Sequence, residues 1–66
     1  MSVDTIIAVA KIHLIGGKME SSARLCLTDA TYLFGKGDMI AAKHRALKSL
    51  AYSVGVLHPV YRAALA

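Results

Sequence analysis

Apolar positions in this chain recur at helical spacing in two long segments. From Asp38 to about Leu57, the residues Met39, Ile40, Ala46, Leu47, Leu50, Val54 and Leu57 fall on one arc of a helical wheel. His44, Arg45, Lys48 and Tyr52 lie opposite them. Asp38 follows a glycine turn and is a good N-cap, because its carboxylate can accept an otherwise unpaired N–H of the first turn. From about Lys18 to Phe34, the residues Met19, Ala23, Cys26, Leu27, Ala30, Leu33 and Phe34 share an arc, and Glu20, Arg24 and Thr31 face away. The link Gly35-Lys36-Gly37-Asp38 joins a glycine C-cap directly to the next N-cap. So short a link makes the two helices an antiparallel hairpin.

The first segment, Val3 to Ile15, has two periodicities. Val3, Ile7, Ala10 and Leu14 make a helical stripe with Ser2 before it, while Ile6, Ala8, Ala10, Ile12 and Leu14 alternate as in a strand. Helix is the preferred reading, because its neighbours are helices and a lone strand would need a partner chain. Such a helix has a second apolar face in Val9, Ile12 and Ile15, and asks to be buried on two sides. Gly16-Gly17 reads as either a kink or a turn. At the other end, Gly55 ends or frays the third segment. His58-Pro59 breaks it, since proline disfavours helix in the residue before it. The remainder, 58–66, is a tail in which Pro59 can open one last turn.

Composition turns this pattern into an argument about partners. The chain has 66 residues, 56% of them apolar, and a mean hydropathy of +0.52. A domain this small buries only about 60% of its unfolded surface. It has one cysteine, hence no internal disulfide, and no Cys/His cluster spaced for zinc. The expectation is therefore a single small domain, 1–66, whose apolar surplus is covered by self-association. Charged residues make up only 18% of the chain, which argues against disorder. The apolar run Ile6–Ile15 is broken by Lys11 and His13 and is too short to cross a membrane. Asp4 and the single cysteine fit a cytoplasmic protein better than a secreted one.

Charge is unevenly distributed. Residues 1–35 balance Lys11, Lys18 and Arg24 against Asp4, Glu20 and Asp29. The net charge of +4 therefore lies in residues 36–66, which set Lys36, Lys43, Arg45, Lys48 and Arg62 against Asp38 alone. His44, Arg45 and Lys48, with Lys36 nearby, form a candidate nucleic-acid contact; the plainer reading is a solvated face. Lys43 falls inside the apolar arc. It reads as a lysine that lays its stem on the core and extends its amine toward Asp29 or Glu20, rather than as a catalytic amine. Ala42, Ala46, Ser49 and Ser53 line one edge of the third segment and suit close helix packing. Cys26 reads as a core residue. His13, His44 and His58 share no ligand spacing, the four carboxylates are unpaired at short range, and Gly35-Lys36-Gly37 lacks a phosphate-loop pattern. These features imply no enzyme, no metal and no cofactor. Leu25, Tyr32, Val56, Tyr61 and Leu65 are expected outside the core, and Ile12, Ile15, Leu25, Tyr32 and Tyr61 are the candidate protein interface.

Residues 23–53 resemble a single degenerate tetratricopeptide-type hairpin. The resemblance rests on Ala30, the Gly37-Asp38 turn, Ala42 and Ser49; Ala46 replaces an expected large residue and the closing proline is missing. The same stretch also resembles the helical hairpin of HEPN-type proteins, but no arginine is followed by histidine four to six residues later, so their ribonuclease activity is not implied. The tetratricopeptide resemblance implies protein binding and a face that needs a neighbour. The expected fold is all-α: helices at about 3–15, 18–34 and 38–57, with dimerisation completing a bundle. The expected function is a cytoplasmic protein–protein interaction module, of adaptor, chaperone-like or inhibitor type, that forms a homodimer and also binds another protein. The alternative is a nucleic-acid-binding regulatory protein.

Overall fold

A computed structural model describes residues 1–65, which form four helices and no strand. They are α1 (Val3–Leu14), α2 (Glu20–Gly35), α3 (Met39–Val54) and α4 (Pro59–Leu65). The first segment is thus a helix. Ala66, the end of the expected tail, lies outside the described residues.

The hairpin follows from local chemistry. Gly37 takes a φ of 85°, a left-handed conformation that glycine adopts without steric cost. This lets the Asp38 N–H reach Leu33 O at 3.0 Å and the Gly37 N–H reach Phe34 O at 3.0 Å, the paired bonds of a glycine-terminated helix end. Asp38 then opens α3, its Oδ1 accepting the Ala41 N–H at 3.3 Å. One residue thus closes α2 and starts α3.

Helix α3 is the axis of the molecule, packing most extensively on α2, next on α1 and lightly on α4. Eight side chains are completely shielded: Ile6, Ala10, Ala23, Ala30, Ala42, Ala46, Ser49 and Leu50. Five of the eight are alanines, so the helix backbones approach closely. Ser49 Oγ donates to Ala23 O at 2.8 Å across the α2–α3 contact. Gly16-Gly17 is a turn, not a kink, and it closes onto α3. The Lys18 and Met19 N–H groups donate to Ser53 O and Tyr52 O, each at 3.3 Å. Two carbonyls in the last turn of α3, which no helical N–H can reach, are thereby satisfied. A Cβ at Gly17 would stand 3.0 Å from Ser53 Cα and 3.1 Å from His13 O, so a side chain there would push the turn and α3 apart by a few tenths of an ångström.

Several expectations are corrected. Met39, Ile40 and Leu57 do not enter the core: Ile40 is 88% and Leu57 82% exposed. The buried arc of α3 is rotated toward Ala42, Ala46, Ser49 and Ser53, which form its centre rather than an edge. Leu57 also lies beyond the helix, which stops at Val54 where Gly55 takes a φ of 87°. Met19 is exposed at the N-cap of α2, and Phe34 is exposed near its end. Tyr52 and Tyr61, expected on the outside, are half-buried against the core. On α1, Val9 packs inward while Ile12 and Ile15 stay exposed. Helix α1 ends at Leu14 and α2 starts at Glu20, inside the expected limits.

The accessible surface is 4115 Å², close to the ~4,000 Å² of a compact monomer of this mass. The fold is therefore not loosely packed, and its exposed large apolar side chains come from composition. Ser53 Oγ is buried without a hydrogen-bond partner. Ser53→Ala is therefore expected to leave stability unchanged or raise it. Gly17→Ala, which forces the turn away from α3, is expected to cost about 1–3 kcal/mol. Urea unfolding midpoints of the two variants check this, and the opposite order would mean the α1–α2 turn does not seat on Ser53.

Candidate interaction surfaces

Open grooves lie on the surface of the described residues. One, about 450 Å³, runs between α1 and α2, with Leu14 and Leu27 as its floor and Lys11, Arg24, Thr28, Thr31 and Tyr32 around it. Thr28 Oγ1 donates to Arg24 O at 2.9 Å and Thr31 Oγ1 to Leu27 O at 3.0 Å. Both hydroxyls are engaged by their own helix, which makes the groove less polar than its sequence suggests. Ser21, Leu25, Thr28 and Tyr32 follow one another at spacings of four, three and four residues on the outward side of α2. Leu25 is 69% and Tyr32 65% exposed. Ile12 on α1 and Ile15 just after it are exposed.

Charge on this face is held locally. Arg24 Nη2 donates to Glu20 Oε2 at 2.9 Å, an exposed pair one turn apart. Glu20 Oε1 also accepts the Gly16 N–H at 3.4 Å. The Arg24 hydrogen bond first, and the Gly16 N–H second, hold the Glu20 carboxyl below the usual carboxylate range. Asp4 is lowered likewise, by Ser2 and then by the Thr5 N–H. Glu20–Arg24 is the only salt bridge among the described residues. The expected reach of Lys43 to Glu20 or Asp29 is thus not made, and Lys43 is half-buried. Lys36 Nζ stands 5.3 Å from the centre of the Tyr32 ring, within cation–π range.

Another groove, about 300 Å³, lies between α3 and α4 and is lined by His44, Leu47, Lys48, Ala51, Tyr61 and Leu65. The two sets of candidate residues are therefore mixed by the fold. Tyr61, expected in the apolar interface, shares this groove with His44 and Lys48. Lys36, expected with the basic set, lies instead against Tyr32, and Arg45 is half-buried.

His13 and His58, distant in sequence, meet edge to face with ring centres 5.5 Å apart. His58 Nδ1 accepts the Val60 N–H at 3.1 Å, so the neutral ring carries its proton on Nε2. The pair anchors the start of α4 beside the end of α1. No group of three or more His, Cys, Asp or Glu that could hold a metal occurs among the described residues. Cys26 is buried and unpaired. No described helix is long and apolar enough to cross a membrane.

The histidine contact and the threonine back-bonds had no signal in the sequence. The Glu20–Arg24 pair did, in its four-residue spacing. Comparison of the chain with protein-family models, curated proteins and solved structures finds no match.

Because Glu20 is held down by Arg24, Arg24→Ala is expected to return its carboxyl upward toward the ordinary carboxylate range. The pair's small contribution is present at neutral pH and is lost as pH falls and Glu20 protonates. Carboxyl-carbon NMR titration of both proteins measures the shift, and identical titration midpoints would remove the assigned cause.

Proposed function

We propose that this chain is a small non-enzymatic interaction protein that forms a homodimer through its α1/α2 face and serves as an adaptor or inhibitor of another protein in the cytoplasm. The observation that carries the reading is the outward pair Leu25 and Tyr32 on α2, of which Tyr32 lines a groove floored by Leu14 and Leu27. Ile12 on α1 and Ile15 just after it are also exposed. Exposed large apolar and aromatic side chains are the makings of an interface core.

Electrostatics supports self-association on this face in particular. Residues 1–35, which contain α1 and α2, have equal numbers of acidic and basic side chains, so two copies meet there without net repulsion. The chain has no disulfide and a core built largely of alanine. A second copy would add apolar burial that a domain of this size gains with difficulty alone. A catalytic role has less support, because Cys26 is interior and the His13–His58 pair is occupied in packing and in capping α4.

Sedimentation equilibrium at micromolar concentration should give twice the chain mass of 7.0 kDa. Leu25→Glu and Ile12→Glu should each shift the protein to monomer while leaving its helical circular dichroism intact. A wild-type monomer at high concentration would overturn the homodimer. A dimer that tolerates both changes would overturn the choice of face.

A further inference from the structure

The groove between α3 and α4 is a second docking surface, and we infer that it binds an acidic amphipathic helix of another protein. Leu47, Ala51, Tyr61 and Leu65 supply its apolar lining, with His44 and Lys48 beside them. On α3, Ile40, His44, Leu47 and Ala51 are spaced i, i+4, i+7 and i+11, so they follow one line along the helix. Helix α4 is only seven residues long. It flanks the C-terminal part of that line and leaves Ile40 uncovered at its N-terminal end. A partner helix reads such a line with its own apolar residues at i, i+3 or i+4, and i+7.

The charge of the surface selects the partner. Two basic side chains, His44 and Lys48, line the groove, and no Asp or Glu does. Carboxylates flanking the apolar stripe of a docked helix would therefore meet Lys48 and no carboxylate among the lining residues. A second copy of this chain, itself carrying +4, would set like charges against each other in a two-fold contact. Nucleic acid would satisfy the cations but would leave Ile40 and Leu65 uncovered. The ring of Tyr61, which a base would need for stacking, is packed against the core. This surface is separate from the α1/α2 face, and its occupant does not depend on self-association.

Fluorescence anisotropy with a labelled synthetic peptide tests the assignment. The peptide spans about five helical turns, with leucines at i, i+3, i+4 and i+7 and glutamates flanking them. The parallel probes are the same peptide with lysine for glutamate and a single-stranded oligonucleotide, all at about 150 mM salt. The acidic peptide should bind saturably. Lys48→Glu and Leu65→Glu, both at exposed positions, should each weaken it by about tenfold or more. Leu25→Glu, on the other face, should leave it unchanged. Equal binding of the lysine peptide, tighter binding of the oligonucleotide, loss of binding on Leu25→Glu alone, or no saturation by the acidic peptide would each overturn the proposal.

Discussion

The fold depends on how closely other backbones can approach one side of α3. Ala42, Ala46, Ser49 and Ser53 are all buried there. Side chains this small let α2 come near enough for Ser49 Oγ to reach Ala23 O, and they let the Gly16-Gly17 turn rest on Ser53. A larger side chain anywhere on that line would have to displace a helix or a turn, because protein interiors are packed with little spare volume.

This choice of core explains the surface. Alanines and a serine fill the centre of the molecule, so much of the large apolar material has nowhere to go but outward. Ile12, Ile15, Leu25, Tyr32, Ile40, Leu57 and Leu65 are exposed in a fold whose total surface is that of an ordinary compact monomer. The exposed residues are arranged on helices whose charges differ. The α1/α2 side balances its acids and bases, whereas α3 and α4 carry bases alone. One chain thus offers a neutral apolar face and a basic apolar groove, surfaces that suit different partners. The proposed self-association and the proposed acidic helix follow from that difference.

Local chemistry made much of the architecture legible in the sequence. The Gly37-Asp38 pair specified a helix end followed at once by a helix start, whereas the segment after Pro59 was expected as a tail with at most one last turn and is instead the helix α4. Periodicity located the long helices but misjudged which way α3 faces. The rule that larger apolar residues point inward favoured Met39, Ile40 and Leu57. The helix instead buries its small residues, because close backbone contact to both α1 and α2 outweighs the burial of a few long side chains at its ends. Leu25 and Tyr32 were legible as surface residues because they oppose the buried arc of α2. Tyr61 and the meeting of His13 with His58 were not, since both depend on where α4 docks, which no local pattern encodes.

The central claim is that the small residues of α3 are the axis of the fold, and enlarging the middle of that line tests it most directly. In urea denaturation of Ser49→Leu against the unaltered chain, the account predicts a loss of about 1–3 kcal/mol or outright unfolding. The added side chain overfills the α2–α3 contact and removes the Ala23 hydrogen bond. A midpoint equal to or above that of the unaltered chain would contradict it, because a leucine gains stability at Ser49 only if that position lies at an open edge of the helix.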